Sequence, residues 1–156
     1  MSGFQAIADR VEIEALRGEF TDAAMMHDYD RLAALFTDDG AVRIPEVSAE
    51  SAGVAEIRAG VKRLQGLWDY FVQNSHSGTI QLDADTASGR TYLFELGHLR
   101  DGTSHLNYGI YHDRYQRTQD GWKFAERVYE IRYADSAPLT GTAPGRLASS
   151  PEPFPA

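Results

Sequence analysis

The chain has 156 residues, 42% apolar and 24% charged, the makeup of one globular domain with room for a core or an internal pocket. Fifteen Lys and Arg against 23 Asp and Glu give a formal charge of -8, with the cations scattered singly, which argues against nucleic acid or an anionic membrane as partner. The absence of cysteine removes disulfides, thiolate metal sites and cysteine nucleophiles, and no apolar run suits a signal peptide or a bilayer span, so a soluble cytoplasmic protein is expected.

In chain order, residues 4–27 space Ile7, Val11, Leu16, Phe20 and Ala24 as the apolar stripe of an amphipathic helix. Asp28 or Asp30 is placed to cap a short helix over residues 31–36, which stops at Asp38-Asp39-Gly40. A short strand, 41–44, meets Pro45, and 46–53 reads as polar loop. Val54, Ile57, Val61, Leu64, Trp68 and Phe71 then mark a third helix.

From residue 74 the period changes to that of strands, with four predicted at 74–82, 90–99, 103–118 and 122–133. Asp101-Gly102 and Asp120-Gly121 are hairpin-turn dipeptides at two of the junctions. Helices followed by an antiparallel meander predict an α+β fold, and the domain is expected to span 1–135. The segment 136–156 holds five of the six prolines and reads as an irregular tail.

Strand alternation puts His76 on the apolar face with Ile80 and Leu82, where an imidazole is either a general base or a buried histidine bonded to a carbonyl. Arg127 shares the more aromatic face of the last strand with Tyr129, Ile131 and Tyr133. A cation there needs a carboxylate or a bound anion, a structural ion pair being the plain alternative. Asn107 and Tyr111 share a face of the preceding strand and offer hydrogen bonds to a ligand, although Tyr111 also suits a core. Glu95 alternates with Tyr92, Phe94 and Leu96, the more apolar set, which points it to solvent unless the sheet is covered on both sides. No zincin spacing occurs, so a metal requirement is not expected, and there is no P-loop or Gly-x-Ser-x-Gly nucleophile elbow.

Four segments together resemble the SnoaL-like branch of the nuclear-transport-factor-like α+β cone superfamily. They are Asp9-Arg-x-Glu-Ile-x-x-Leu16, the Tyr29–Gly40 run, Gly53-Val-Ala-Glu-Ile57, and Tyr111-x-Asp-x-Tyr115 followed by residues 120–127. The resemblance implies helices packed in the concavity of a strongly curved, mainly antiparallel sheet. Within the superfamily it is nearest to scytalone dehydratase, bile acid dehydratase and hexachlorocyclohexane dehydrochlorinase, cofactor-free enzymes with a histidine base oriented by an aspartate. On that likeness His76 matches the base, Arg127 the pocket arginine, and Glu95 an inward-facing acid. The dyad aspartate is replaced by Met25, whose thioether cannot orient an imidazole. Glu95 is then the acid left for that role, with Asp22 a poorer substitute.

The implied function is a cofactor-free lyase, isomerase or cyclase acting on a hydrophobic, cyclic, oxygenated small molecule. In it His76 and Glu95 are catalytic, Arg127, Asn107, Tyr111 and Tyr129 bind substrate, and Met25, Trp68 and Phe71 form apolar walls. The alternatives are a ligand-binding domain that has lost its dyad and an interaction subunit. Family habit implies a homodimer or homotrimer.

Overall fold

A computed structural model of the chain describes residues 3–145. Helix α1 (Gly3–Met26) buries Asp9, Ile13, Leu16, Arg17, Phe20, Ala23 and Ala24. The apolar stripe expected there is corrected at its first turns, since Ile7 and Val11 are 62% and 64% exposed while Asp9 and Arg17 face inward. Both buried charges are matched by the sheet. Asp9 accepts from Arg117 at 2.7 Å and from the Trp122 indole at 3.1 Å, and Arg17 donates to Tyr115 Oη and to the Thr79 carbonyl, each at 2.8 Å.

Helix α2 (Tyr29–Ala34) starts on Asp28, whose carboxylate accepts from the Arg31 N–H. Strand β1 (Phe36–Ile44) follows. The expected loop at 46–53 is instead a 3-10 turn (Pro45–Val47) and strand β2 (Ala49–Ala52). Ser48, at φ 52, reverses the chain so that β2 pairs antiparallel with β1. Helix α3 (Val54–Gln65) ends at Gly66, so Trp68 and Phe71 lie on strand β3 (Trp68–Asp83) and not on the helix the spacing predicts.

Strands β4 (Thr86–Leu99), β5 (Ser104–Thr118) and β6 (Gly121–Asp135) complete a six-stranded sheet ordered β2-β1-β6-β5-β4-β3. The sheet is antiparallel except for β1 against β6, and it curves without closing. Gly102 and Gly121 take φ of +95 and +96 at the two Asp-Gly turns, as that dipeptide requires. Helix α1 packs on β3 and β6, and its apolar residues meet Leu93, Tyr111, Tyr115, Phe124 and Tyr129 in the core.

Four one-residue bulges set the orientation of side chains across β3–β6: at Asp69 and within 77–78 of β3, and at Ala125 and Arg132 of β6. No described helix is long and apolar enough to cross a membrane. Residues 136–145 form no helix or strand, and the rest of the expected tail lies outside the described residues.

Candidate active site

The inner face of the sheet grades from closed to open along its strands. At one end Leu93, Asp113, Tyr115 and Arg127 are fully buried; towards the other, Trp68, Phe71, His105, Asn107 and Ile131 are only half-buried. Between them stands Glu95. Its Oε1 accepts from Gln73 Nε2 at 2.7 Å and its Oε2 from Tyr129 Oη at 3.0 Å. Asn107 lies directly opposite in the β4–β5 register, also presents its amide to this carboxyl, and keeps a buried Oδ1 with no partner among the described residues.

Glu95 therefore faces the helices, as the resemblance implies and against the apolar-set argument. Leu93 and Thr91 are its inward companions, while Tyr92, Phe94 and Leu96 form the outer face. Burial pushes its carboxyl above the usual range, opposed by the hydrogen bonds from Gln73, Tyr129 and Asn107. Burial, with Glu95 next in weight, likewise holds the Tyr129 hydroxyl in its protonated form.

Gln73 was not singled out by sequence, yet it ties the site together. Its Oε1 accepts from Thr21 of α1 at 3.2 Å, and its Nε2 donates to Tyr111 Oη at 3.1 Å as well as to Glu95. The signal is the Phe71, Gln73, Ser75 alternation, masked because the spacing predicts a helix through residue 71. Met25 of α1 sits against the same strand, its Sδ accepting the Gln73 backbone N–H at 3.1 Å.

Three expected site residues are placed differently. His76 is exposed and does not join Glu95. The bulge at 77–78 slips the alternation by one, so Ile80 and Leu82 turn inward while His76, paired with the 42% exposed Tyr92, turns out. Arg127 is inward but structural: its Nε and a terminal nitrogen each reach Asp113 at 2.8 Å, and Phe20, Tyr111 and Phe124 enclose the guanidinium. Asp22 is exposed and pairs with Arg31. Trp68 and Phe71, although on a strand, do meet on the inner side with ring centroids 5.4 Å apart. Among the described residues no three His, Cys, Asp or Glu side chains gather to hold a metal ion. A groove of about 780 Å³ runs at the sheet's other end, lined by Arg43, Ser88, Arg114 and Glu126 among others, and none of the expected site residues line it.

With this geometry in view, residues 5–128 match the family model described as SnoaL-like domain. The chain is 30% identical over 148 residues, 90% of each protein, to the gamma-hexachlorocyclohexane dehydrochlorinase of Sphingobium indicum. It is 27% identical over 124 residues, 78% of this chain and 84% of the other, to an uncharacterized protein of Mycobacterium tuberculosis. Two hexachlorocyclohexane dehydrochlorinase crystal structures share the fold. A type 2 enzyme has TM-score 0.85 and 21% identity over 93% of this chain and all of that one. A type 3 enzyme from Novosphingobium barchaimii has TM-score 0.81 and 22% identity over 90% and 97%.

Proposed function

Because the chain belongs to the SnoaL-like domain family, we propose that it is a cofactor-independent lyase- or isomerase-type enzyme acting on a hydrophobic, cyclic small molecule, with Glu95 as the proton-carrying group of the cone. One observation carries this reading. Glu95 is a buried carboxyl with no cation beside it among the described residues, the buried Arg127 being matched by Asp113. A carboxyl so placed favours its protonated form and serves as a general acid. Tyr129, Gln73 and Asn107 orient it, and the unpartnered Asn107 Oδ1 suits a hydroxyl of the ligand. Trp68, Phe71 and Met25 supply apolar walls on the half-open side, with Tyr111 and Tyr129 deeper.

The family's dehydrochlorinases suggest eliminations as the first reactions to try. Chloride release from gamma-hexachlorocyclohexane and water loss from cyclic β-hydroxy ketones are measured with the wild type and with Glu95→Gln. Turnover that falls about 10²- to 10⁴-fold in the variant supports the reading; equal turnover in both overturns it. A second reading, a binding domain without catalysis, is favoured by Met25, which leaves no carboxylate at the dyad position on α1. It predicts ligand-induced stabilisation that survives Glu95→Gln, with no turnover in either protein. The working form is a homodimer or homotrimer, in keeping with the exposed outer-face aromatics Tyr92, Tyr108 and Tyr133.

A further inference from the structure

With His76 outside, a different histidine faces the cone. His105 on β5 lies two residues before Asn107 and so shares its inner face. Its register partner is Gly97, two residues past Glu95. His105 and Glu95 are therefore diagonal neighbours across the β4–β5 pair, roughly 7–8 Å apart at the backbone.

Gly97 makes this corner possible. A Cβ there would stand 2.7 Å from the Cε3 and Cζ3 atoms of Trp68, so the indole lies directly over the inner side of β4. The His105 ring meets that indole edge-on, with centroids 5.5 Å apart, and the Phe71 ring lies 5.4 Å from the same indole. The result is an imidazole beside an apolar wall, half-buried at the open end of the site. Neither of its ring nitrogens is taken by a hydrogen bond among the described residues. The carboxylates near it are Glu95 on the inner face and Asp101 in the preceding turn, the latter held low chiefly by hydrogen bonds from Thr103.

We infer that His105, not His76, is the general base of this site, working against Glu95 as general acid. This rests on the reading of Glu95 above. In a dehydration, the imidazole takes the proton from the carbon beside a carbonyl and the C–H pair becomes the new C=C bond. The C–O bond breaks and the departing hydroxide takes the Glu95 proton as water. The imidazolium then returns its proton to the Glu95 carboxylate through solvent, which restores both groups.

The test uses 5-nitrobenzisoxazole, whose ring opens to a coloured phenolate when a base removes its carbon-bound proton and the N–O bond breaks. Wild type, His105→Gln, His76→Gln and Glu95→Gln are assayed across pH, with thermal melts to verify folding and His105→Asn as a second variant. The expected result is loss of about 10²-fold or more in kcat for both His105 variants, loss of the imidazole ionisation from their pH profiles, and no change for His76→Gln. A loss on His76→Gln with none at His105 overturns the assignment. A loss confined to Glu95→Gln also overturns it and leaves the Glu95 reading standing. A loss at His105 with Glu95→Gln unaffected overturns the pairing, and a wild type no faster than free imidazole overturns both readings.

Discussion

The ring of Tyr129 lies across the backbone of Gly109 so closely that a Cβ at 109 would stand 2.1 Å from Tyr129 Cε2. Only glycine leaves the ring where its Oη reaches Glu95 at 3.0 Å. Gly109→Ala is expected to cost about 1–3 kcal/mol by overpacking and to pull Tyr129 off the carboxyl. Urea denaturation of Gly109→Ala beside Tyr129→Phe measures this. An alanine variant as stable as the wild type would mean that the strand yields freely.

Glu95 makes the fold more stable in acid than at neutral pH. Its carboxyl is raised in the folded chain, first by burial, so the native state holds the proton more tightly than the unfolded state. The stabilisation is complete below the unfolded value of about 4.3 and is lost as pH rises towards the folded one. Thermal midpoints of the wild type relative to Glu95→Gln should therefore fall from acid to neutral pH. A constant difference would mean that Glu95 titrates alike in both states.

Arg127 and Asp113 form a doubly bonded pair at 2.8 Å with both side chains out of solvent. Asp113 also accepts from Tyr115 at 2.8 Å and from Thr91 at 3.3 Å. Arg127→Met is expected to destabilise by about 3–5 kcal/mol, because it strands the Asp113 carboxylate. Replacing both partners by apolar residues should recover much of that loss. Chemical denaturation of the two single variants and the double variant closes the cycle.

Asp9 behaves in the opposite sense to Glu95. The hydrogen bond from Arg117, with those from Gln5 and Trp122, holds its carboxyl well below the ordinary range despite burial. The stability it lends is present above the unfolded value of about 3.9 and is lost as pH falls through the folded one. Asp9→Asn should melt several degrees lower at neutral pH, with the gap to wild type narrowing in acid. A gap that stays the same down to acid pH would remove this group from the acid limb.

Much of the architecture was legible because it is local. The helix starts, the two Asp-Gly turns and the switch from helical to strand period are decided by residues adjacent in sequence, and the family signature spans most of the chain. The ends of elements were less legible. Trp68 and Phe71 fit a helical spacing, and only the end of α3 at Gly66, pairing with β4 and the bulge at Asp69 bring both to the inner side of β3.

Which side chains enter the site was decided by tertiary structure. An alternation holds only while two strands keep step, and one extra residue inverts every side chain beyond it. The bulge at 77–78 turns His76 out while Ile80 stays in, Ala125 lets Phe124 and Arg127 both face the core, and Arg132 sends Tyr133 to solvent. Such a slip is fixed by the fit of one strand to its neighbour and to the helix above it; Gly78, where a Cβ would stand 1.9 Å from the Arg90 carbonyl oxygen, is its trace in β3, while Ala125 and Arg132 carry no such mark. The sequence by itself determined the fold and supplied the carboxyl, the amide, the phenols and the imidazoles. The register of β3, β4 and β5 decided that Gln73, Glu95, Asn107 and His105 share one face.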